Sequence, residues 1–254
     1  MNNSSQLLAE VDDDLLRVTI NRPEKRNALS ISLLDEIGAT FRAHRDADLK
    51  CALITGAGDK AFAAGGDLKE LDSLRSKAEA RTMSSRAHDA LDQIRYFPVP
   101  VVGAMNGVAL GGGAELAMAC DLRIGAAHAD LGLIQSRLAV TTAWGGGIDL
   151  INAIGNSAAL AILCSGKRLS ANEALALRLY EAVCPADSDF SSFTNDFVAD
   201  YRSKSINVLR SYKATSAARR RQLHEELTDV ARDGFVTAWV DKDHWDAAAN
   251  ALKK

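Results

Sequence analysis

The 254-residue sequence holds only four cysteines, Cys51, Cys120, Cys164 and Cys184, scattered along the chain with no C-x-x-C pair. That spacing gives no zinc or dithiol motif. Single cysteines inside apolar runs read instead as small buried hydrophobes of a reducing compartment, without disulfides. His88, His128, His224 and His244 sit apart, with no H-E-x-x-H or similar spacing, so no metal site and no metal catalysis are expected. Neither sign of charge is in excess. With 30 basic against 33 acidic residues the formal net charge is −3, which leaves no electrostatic footprint for nucleic acid or an anionic membrane. The one basic cluster, ARRRQ at 218–222, is followed by Glu225 and Glu226; three successive arginines point in different directions on a helix, so the reading favours a solvated face. The longest apolar run, VPVVGAMNGVALGGGAELAMA, is broken by glycines, Asn106 and Glu115, which makes a membrane span a poor reading. The start, MNNSSQLLAEVDDD, lacks a basic end and an apolar middle, so a cytoplasmic location is expected. P-loop, G-x-G-x-x-G and G-x-S-x-G motifs are also missing, which removes the usual signals for phosphate cradling and for a serine hydrolase.

What is present is a set of apolar strands alternating with helical segments. LLRVTINRP alternates and stops at Pro23. SISLLDEIGATFRAHRDA carries Leu33, Leu34, Ile37 and Phe41 at helical spacing. CALITGAG and PVPVVGAMNG read as buried strands, with a charged helical stretch over roughly 68 to 96 between them. This order suits parallel crossovers in an α/β fold. From about residue 145 the texture becomes helical, with Ser170 a candidate N-cap, and beyond about 190 only amphipathic helices remain. The expected organisation is an α/β core over 1–190 and a C-terminal helical region over 191–254 that serves assembly.

Two glycine-bearing loops follow apolar strands: AFAAGGDLKEL at 61–71 and GVALGGGAEL at 107–116. Glycine lets backbone approach a ligand and leaves amide N–H groups uncovered, and the second loop opens a helix, whose first N–H groups favour negative charge. An N–H from each loop could converge on one developing oxyanion, each such donor being worth about 3 to 4 kcal/mol in other enzymes. Simple turns are the competing reading. Glu115, in the first turn of that helix, reads either as a capping acid or as a catalytic one.

Together TINRPEKRNALS, KAFAAGGDLKEL and PVVGAMNGVALGGGAELAMACDLRI closely resemble the crotonase superfamily, the enoyl-CoA hydratase and isomerase family, in sequence, order and spacing. The resemblance implies a spiral of repeated ββα units with C-terminal helices that build a trimer, often paired into a hexamer. It implies an acyl-CoA thioester as substrate, with coenzyme A as part of that substrate and no separate cofactor. By position in the motifs, Gly66 and Gly112 would be the oxyanion donors and Glu115 the general base or acid. Lys25, Arg26 and Ala28, with the stretch Ala64, Gly65, Gly66, Asp67 and Leu68, fall where relatives meet adenosine and pantetheine, although Asp67 reads more as a brace for its own loop. Phe235 and Lys254 fall where some relatives reach a neighbouring subunit's nucleotide.

The sequence departs from the hydratase pattern at one position. The second glutamate of typical hydratases falls on Gln135, and an amide does not exchange protons at neutral pH. Slow hydration with Gln135 placing the water, isomerisation through Glu115, and decarboxylation of a methylmalonyl- or ethylmalonyl-type CoA therefore all stay open. Trp144, before GGG, resembles the decarboxylating branch and reads equally as an acyl-pocket residue or as packing at a helix start. Arg137 could bind a substrate carboxylate but more often such an arginine is solvated or paired. A non-catalytic CoA- or RNA-binding member of the family is the alternative from another class.

Overall fold

The run LLRVTI forms a strand, as its alternation predicts, but its first partner is a segment that reads in the sequence as polar and acidic. The computed structural model describes residues 5–251, the side chains of Leu68, Lys69 and Ala251 excepted. Within it β1 (Leu7–Asp12) and β2 (Leu15–Ile20) form an antiparallel hairpin, with Leu7 opposite Ile20 and Asp12 opposite Leu15. Leu7 is the one buried residue of β1, so no period-two pattern marks that strand in the sequence.

Helix α1 (Ile31–Ala43) follows. Ser30 caps it by accepting from Leu33 N at 3.1 Å, an interaction of about 0.5–2 kcal/mol, and Leu33, Leu34, Ile37 and Phe41 form its buried face. Next come β3 (Cys51–Gly56) and β4 (Ala61–Ala63). The single helix expected over 68–96 is two, α2 (Leu68–Leu71) and α3 (Lys77–Arg95). The break has a local cause: Ser76 Oγ accepts from Glu79 N at 3.2 Å while Glu79 Oε2 accepts from Ser76 N at 2.9 Å. That capping box specifies a new N-terminus.

The middle of the chain supplies β5 (Val101–Met105), β6 (Val108–Leu110), α4 (Gly112–Ala119), β7 (Leu122–Ala126), β8 (Leu131–Gly132) and α5 (Gly146–Ile154). Then come α6 (Asn156–Ser165), α7 (Ala171–Ala176), β9 (Ala182–Cys184), α8 (Phe190–Arg202), α9 (Ile206–Trp239) and α10 (Lys242–Ala251). The large sheet runs β1-β2-β3-β5-β7-β9, parallel from β2 onward, and β4-β6-β8 form a second, parallel sheet. Successive units therefore give one strand to the large sheet, the next to the small sheet, and then a helix. This is the ββα spiral that the resemblance implies. The small sheet itself has no sequence signature, because strands of two or three residues inside Gly/Ala-rich loops carry no periodicity.

Both faces of the large sheet are covered. Ala52 and Ile54 of β3 join the main core with α1 and α3, whereas Cys51 and Leu53 face a second cluster with Val102, Ile124 and Val198 of α8. Strands buried on both sides read as unbroken apolar runs, as CALITG does. The two sheets are locked where α4 meets β4: a Cβ at Gly113 would lie 1.9 Å from Ala63 O, so this approach admits only glycine. Phe41 and Phe97 meet edge to face at 5.2 Å between α1 and the segment after α3.

Helix α9 carries charge inward. Arg220 is buried, its Nε donating to Asp149 Oδ1 at 2.8 Å and its Nη2 to Met118 O at 2.6 Å. The expectation of a solvated ARRRQ face therefore holds for Arg219 and Arg221 and fails for Arg220, because helical rotation turns that one side chain onto α5. Among the described residues no helix is long and apolar enough to cross a membrane.

Candidate active site

The first glycine loop is held from below by two buried amides. Asn27, fully buried at φ 55°, donates from Nδ2 to Ala61 O at 2.7 Å and Ala57 O at 3.1 Å, and its Oδ1 accepts from Arg22 N at 3.0 Å. Asn106 Nδ2 donates to Gly58 O at 2.7 Å and also reaches Ala61 O. The loop is then stitched to residues 26–29: Ala64 N donates to Arg26 O at 3.0 Å, Leu29 N to Gly65 O at 2.9 Å and Asp67 N to Leu29 O at 2.9 Å. This pairing alternates past Gly66, whose N–H it does not use.

Asp67 accepts from Arg22 Nη2 at 3.0 Å, with Lys25 Nζ 3.8 Å away. Burial would raise its carboxyl, but the Arg22 bond and the Lys25 charge hold it below the ordinary range. It is a brace within the loop. Lys25 and Arg26 belong to the turn after Pro23, Lys25 exposed and Arg26 in the left-handed region. Ala28 O accepts from Arg22 Nη1 at 2.5 Å. The side chain of Leu68 lies outside the described residues, as does Lys254.

The second loop enters α4 at Gly112. As the first helical residue it has no intrahelical carbonyl for its N–H, while Gly111 N is taken by Gly132 O at 2.9 Å. The indole of Trp144 lies against both loops: a Cβ at Gly112 would come within 2.3 Å of that ring, and one at Gly66 within 3.7 Å. Trp144 is 3% exposed, so it packs at the start of α5 and lines the site at once.

Glu115 is buried on α4. Its Oε1 accepts from Gln135 Nε2 at 3.0 Å and Ala143 N at 3.1 Å, and its Oε2 from Trp144 N at 2.7 Å and Gly146 N at 3.0 Å. Burial pushes its carboxyl above the ordinary range, while the N–H groups of Gly146, Ala143 and Trp144 favour the anion. Gln135 Oε1 is buried with no protein partner; an unpaired buried carbonyl of this kind has a free place for a donor.

These pieces share one cavity of about 660 Å³, lined by Ala64, Gly65, Gly66, Gly112, Glu115, Gln135 and Trp144, and walled further by Met83, Ile134 and Leu138. Lys25, Arg26, Ala28 and Asp67 do not line it. Arg137 does, although its Nε is taken by Gly166 O at 2.8 Å. Helices α9 and α10 close the far side with Phe235, Trp239, Ala247 and Asn250. Phe235 thus lies in the cavity of its own chain. The backbone donors Ala143, Trp144 and Gly146 escape sequence reading, since main-chain N–H groups have no side-chain signature. His88 and His224, far apart in sequence, meet in space with ring centroids 5.3 Å apart, outside this cavity.

Residues 10–246 match the family model described as enoyl-CoA hydratase/isomerase. The chain is 36% identical over 249 residues to the crotonyl-CoA hydratase of Syntrophomonas wolfei, covering 98% of this chain and 95% of that one. It is 32% identical over 180 residues to the short-chain-enoyl-CoA hydratase of Clostridium acetobutylicum, covering 70% and 69%. A solved enoyl-CoA hydratase from Mycobacterium avium subsp. paratuberculosis superposes with a TM-score of 0.86 at 25% identity, over 98% of this chain and 100% of that one.

Proposed function

Since the chain belongs to the enoyl-CoA hydratase/isomerase family, we propose that it adds water to the double bond of an enoyl-CoA, using two main-chain donors and a single carboxylate. The observation that carries this reading is the convergence on one cavity of Glu115, Gln135 and the two glycine loops. The thioester carbonyl binds the N–H groups of Gly66 and Gly112, which stabilise the enolate oxygen as charge develops there. Coenzyme A enters with the substrate and no other cofactor takes part.

Gln135 Oε1 holds a hydrogen of the attacking water. Glu115 accepts the other as the oxygen adds to the β carbon, then returns that proton to the α carbon, so that one O–H bond and the C=C π bond break and one C–O and one C–H bond form. Lys25 and Arg26 meet the anionic nucleotide end, with the backbone of Ala28, Ala64, Gly65 and Leu68 along the pantetheine, and Trp144 bounds the acyl group. The active form is a cytoplasmic trimer or a hexamer of two trimers, for which the exposed Val208, Tyr212 and Val230 on α9 and Leu160 on α6 offer apolar surface.

A second reading is favoured by the amide at 135 and the indole between the loops: decarboxylation of a methylmalonyl-type CoA, where loss of CO2 makes the enolate and Glu115 would have to be protonated to quench it. Purified protein with crotonyl-CoA and, separately, with methylmalonyl-CoA decides between them. Loss of the enoyl double bond, abolished in Glu115→Gln, supports hydration. CO2 release without hydration overturns it, and silence toward a broad acyl-CoA panel favours a binding role.

A further inference from the structure

On the side of the molecule where α3 packs against α9, a second cavity of about 500 Å³ is lined by His88, Asp92 and His224. One ligand atom from each of the three can be chosen so that all lie within 4.8 Å of one another. His88 and Asp92 are one helical turn apart on α3, with His88 Nε2 3.6 Å from Asp92 Oδ1, and His224 faces them from α9. The decisive group is His224. Its Nε2 lies 2.8 Å from Oδ1 of the buried carboxylate Asp149, whereas its Nδ1 is buried with no hydrogen-bond partner. Asp149 already accepts from Arg220 Nε at 2.8 Å and Arg95 Nε at 3.0 Å, so it is the acceptor for His224 too, and Nε2 is the donor. Nδ1 is thereby left as the ring nitrogen with no protein partner.

We propose that His88, Asp92 and His224 bind a divalent transition-metal ion, with water completing a four-coordinate shell. Two imidazoles and one carboxylate suit Zn2+, Co2+ or Ni2+ rather than Mg2+ or Ca2+, which prefer oxygen shells. A tetrahedral ion with bonds of about 2.0–2.1 Å places its donors roughly 3.4 Å apart. The donor atoms of the three side chains lie within 4.8 Å of one another, so side-chain rotation of His88 and Asp92 closes the shell while His224 stays on Asp149. His224 has the outer partner that metal-bound histidines use, a carboxylate on the other ring nitrogen that fixes tautomer and orientation.

Arg95 donates to Asp92 Oδ1 at 2.9 Å and shares Asp149 with Arg220, so Oδ2 of Asp92 is left for the metal. Glu225 and Asp229 bring two further carboxylates to the cavity wall beside Arg45 and Arg221, with Arg232 3.5 Å from Asp229. The ion would cross-link α3 to α9 behind the catalytic loop, since Arg95 Nη2 donates to Trp144 O at 2.6 Å. Its role is structural, without contact to the acyl cavity.

The test uses full-length protein stripped with chelator. Zn2+ affinity is read by competition with a chromogenic chelator, and geometry by the visible absorption of the Co2+ form. We expect a single ion per chain and the intense bands of four-coordinate Co2+. Asp92→Asn and His88→Gln, checked for native circular dichroism, should each weaken binding by at least about tenfold, and Asp149→Asn by on the order of 10–100-fold. Glu115→Gln should leave it unchanged. A weak spectrum of the six-coordinate aquo ion with the parent protein overturns the proposal, as does affinity indifferent to both Asp92→Asn and His88→Gln.

Discussion

Replacing Gln135 by glutamate puts a second carboxylate where an amide nitrogen now stands 3.0 Å from Glu115 Oε1. Two unit charges at that separation, with an effective dielectric constant of about 20, repel by roughly 5–6 kcal/mol. At 1.36 kcal/mol per pH unit the pair then keeps one shared proton over a window of roughly four pH units. The parent enzyme should show one acidic limb in kcat/KM, set by loss of the Glu115 anion, whose carboxyl burial already raises. The variant should show a bell, because only the singly protonated pair holds both a base for water and an acid for the α carbon. At the top of that bell, hydration of crotonyl-CoA should rise above the parent, by up to the 10²–10⁴-fold that a positioned acid or base contributes. The assay is the pH profile of enoyl absorbance loss for both proteins. An unchanged profile with an unchanged rate would refute the reasoning, since it would mean that position 135 does not share its proton environment with Glu115.

Four further outcomes test the frame around the site. Gly112→Ala drives a methyl to within 2.3 Å of the Trp144 ring and should lower kcat about 10²–10³-fold if the oxyanion donor is displaced; Gly113→Ala, facing the rigid Ala63 carbonyl at 1.9 Å, should not yield folded protein by circular dichroism at all. Asn27→Ala leaves Arg22 N and Ala57 O without their partner and places alanine at φ 55°, so denaturant titration should show a loss of about 3–6 kcal/mol. Removing both Lys25 and Arg26 charges should raise KM for a CoA thioester about fivefold at low salt with kcat intact, and leave a thioester lacking the nucleotide unaffected.

Much of this was legible before any coordinates, and the reason differs by element. The glycine loops and Glu115 stand out because a backbone that must approach its neighbours closely has to be written with glycine, and because an acid among small apolar residues is rare. Their reading as a site rather than as turns and a cap, and the place of Gln135 beside Glu115, rest on the family resemblance. The clamp on Glu115 could not, since Ala143, Trp144 and Gly146 contribute main-chain nitrogen that any residue would supply. β1 and the small sheet were hidden for want of a pattern. Arg220 departs from the solvated-face expectation because charge on a long polar helix looks solvated until the partner, here Asp149, is known to face it.

The four nitrogens around Glu115 have a stereochemical consequence. A carboxylate tied on both oxygens cannot swing from one side of a bound molecule to the other, so hydrogen must arrive at carbon from a single direction. Labelled water should accordingly leave its deuterium in one prochiral position of the product, with no racemisation however slowly the reaction runs.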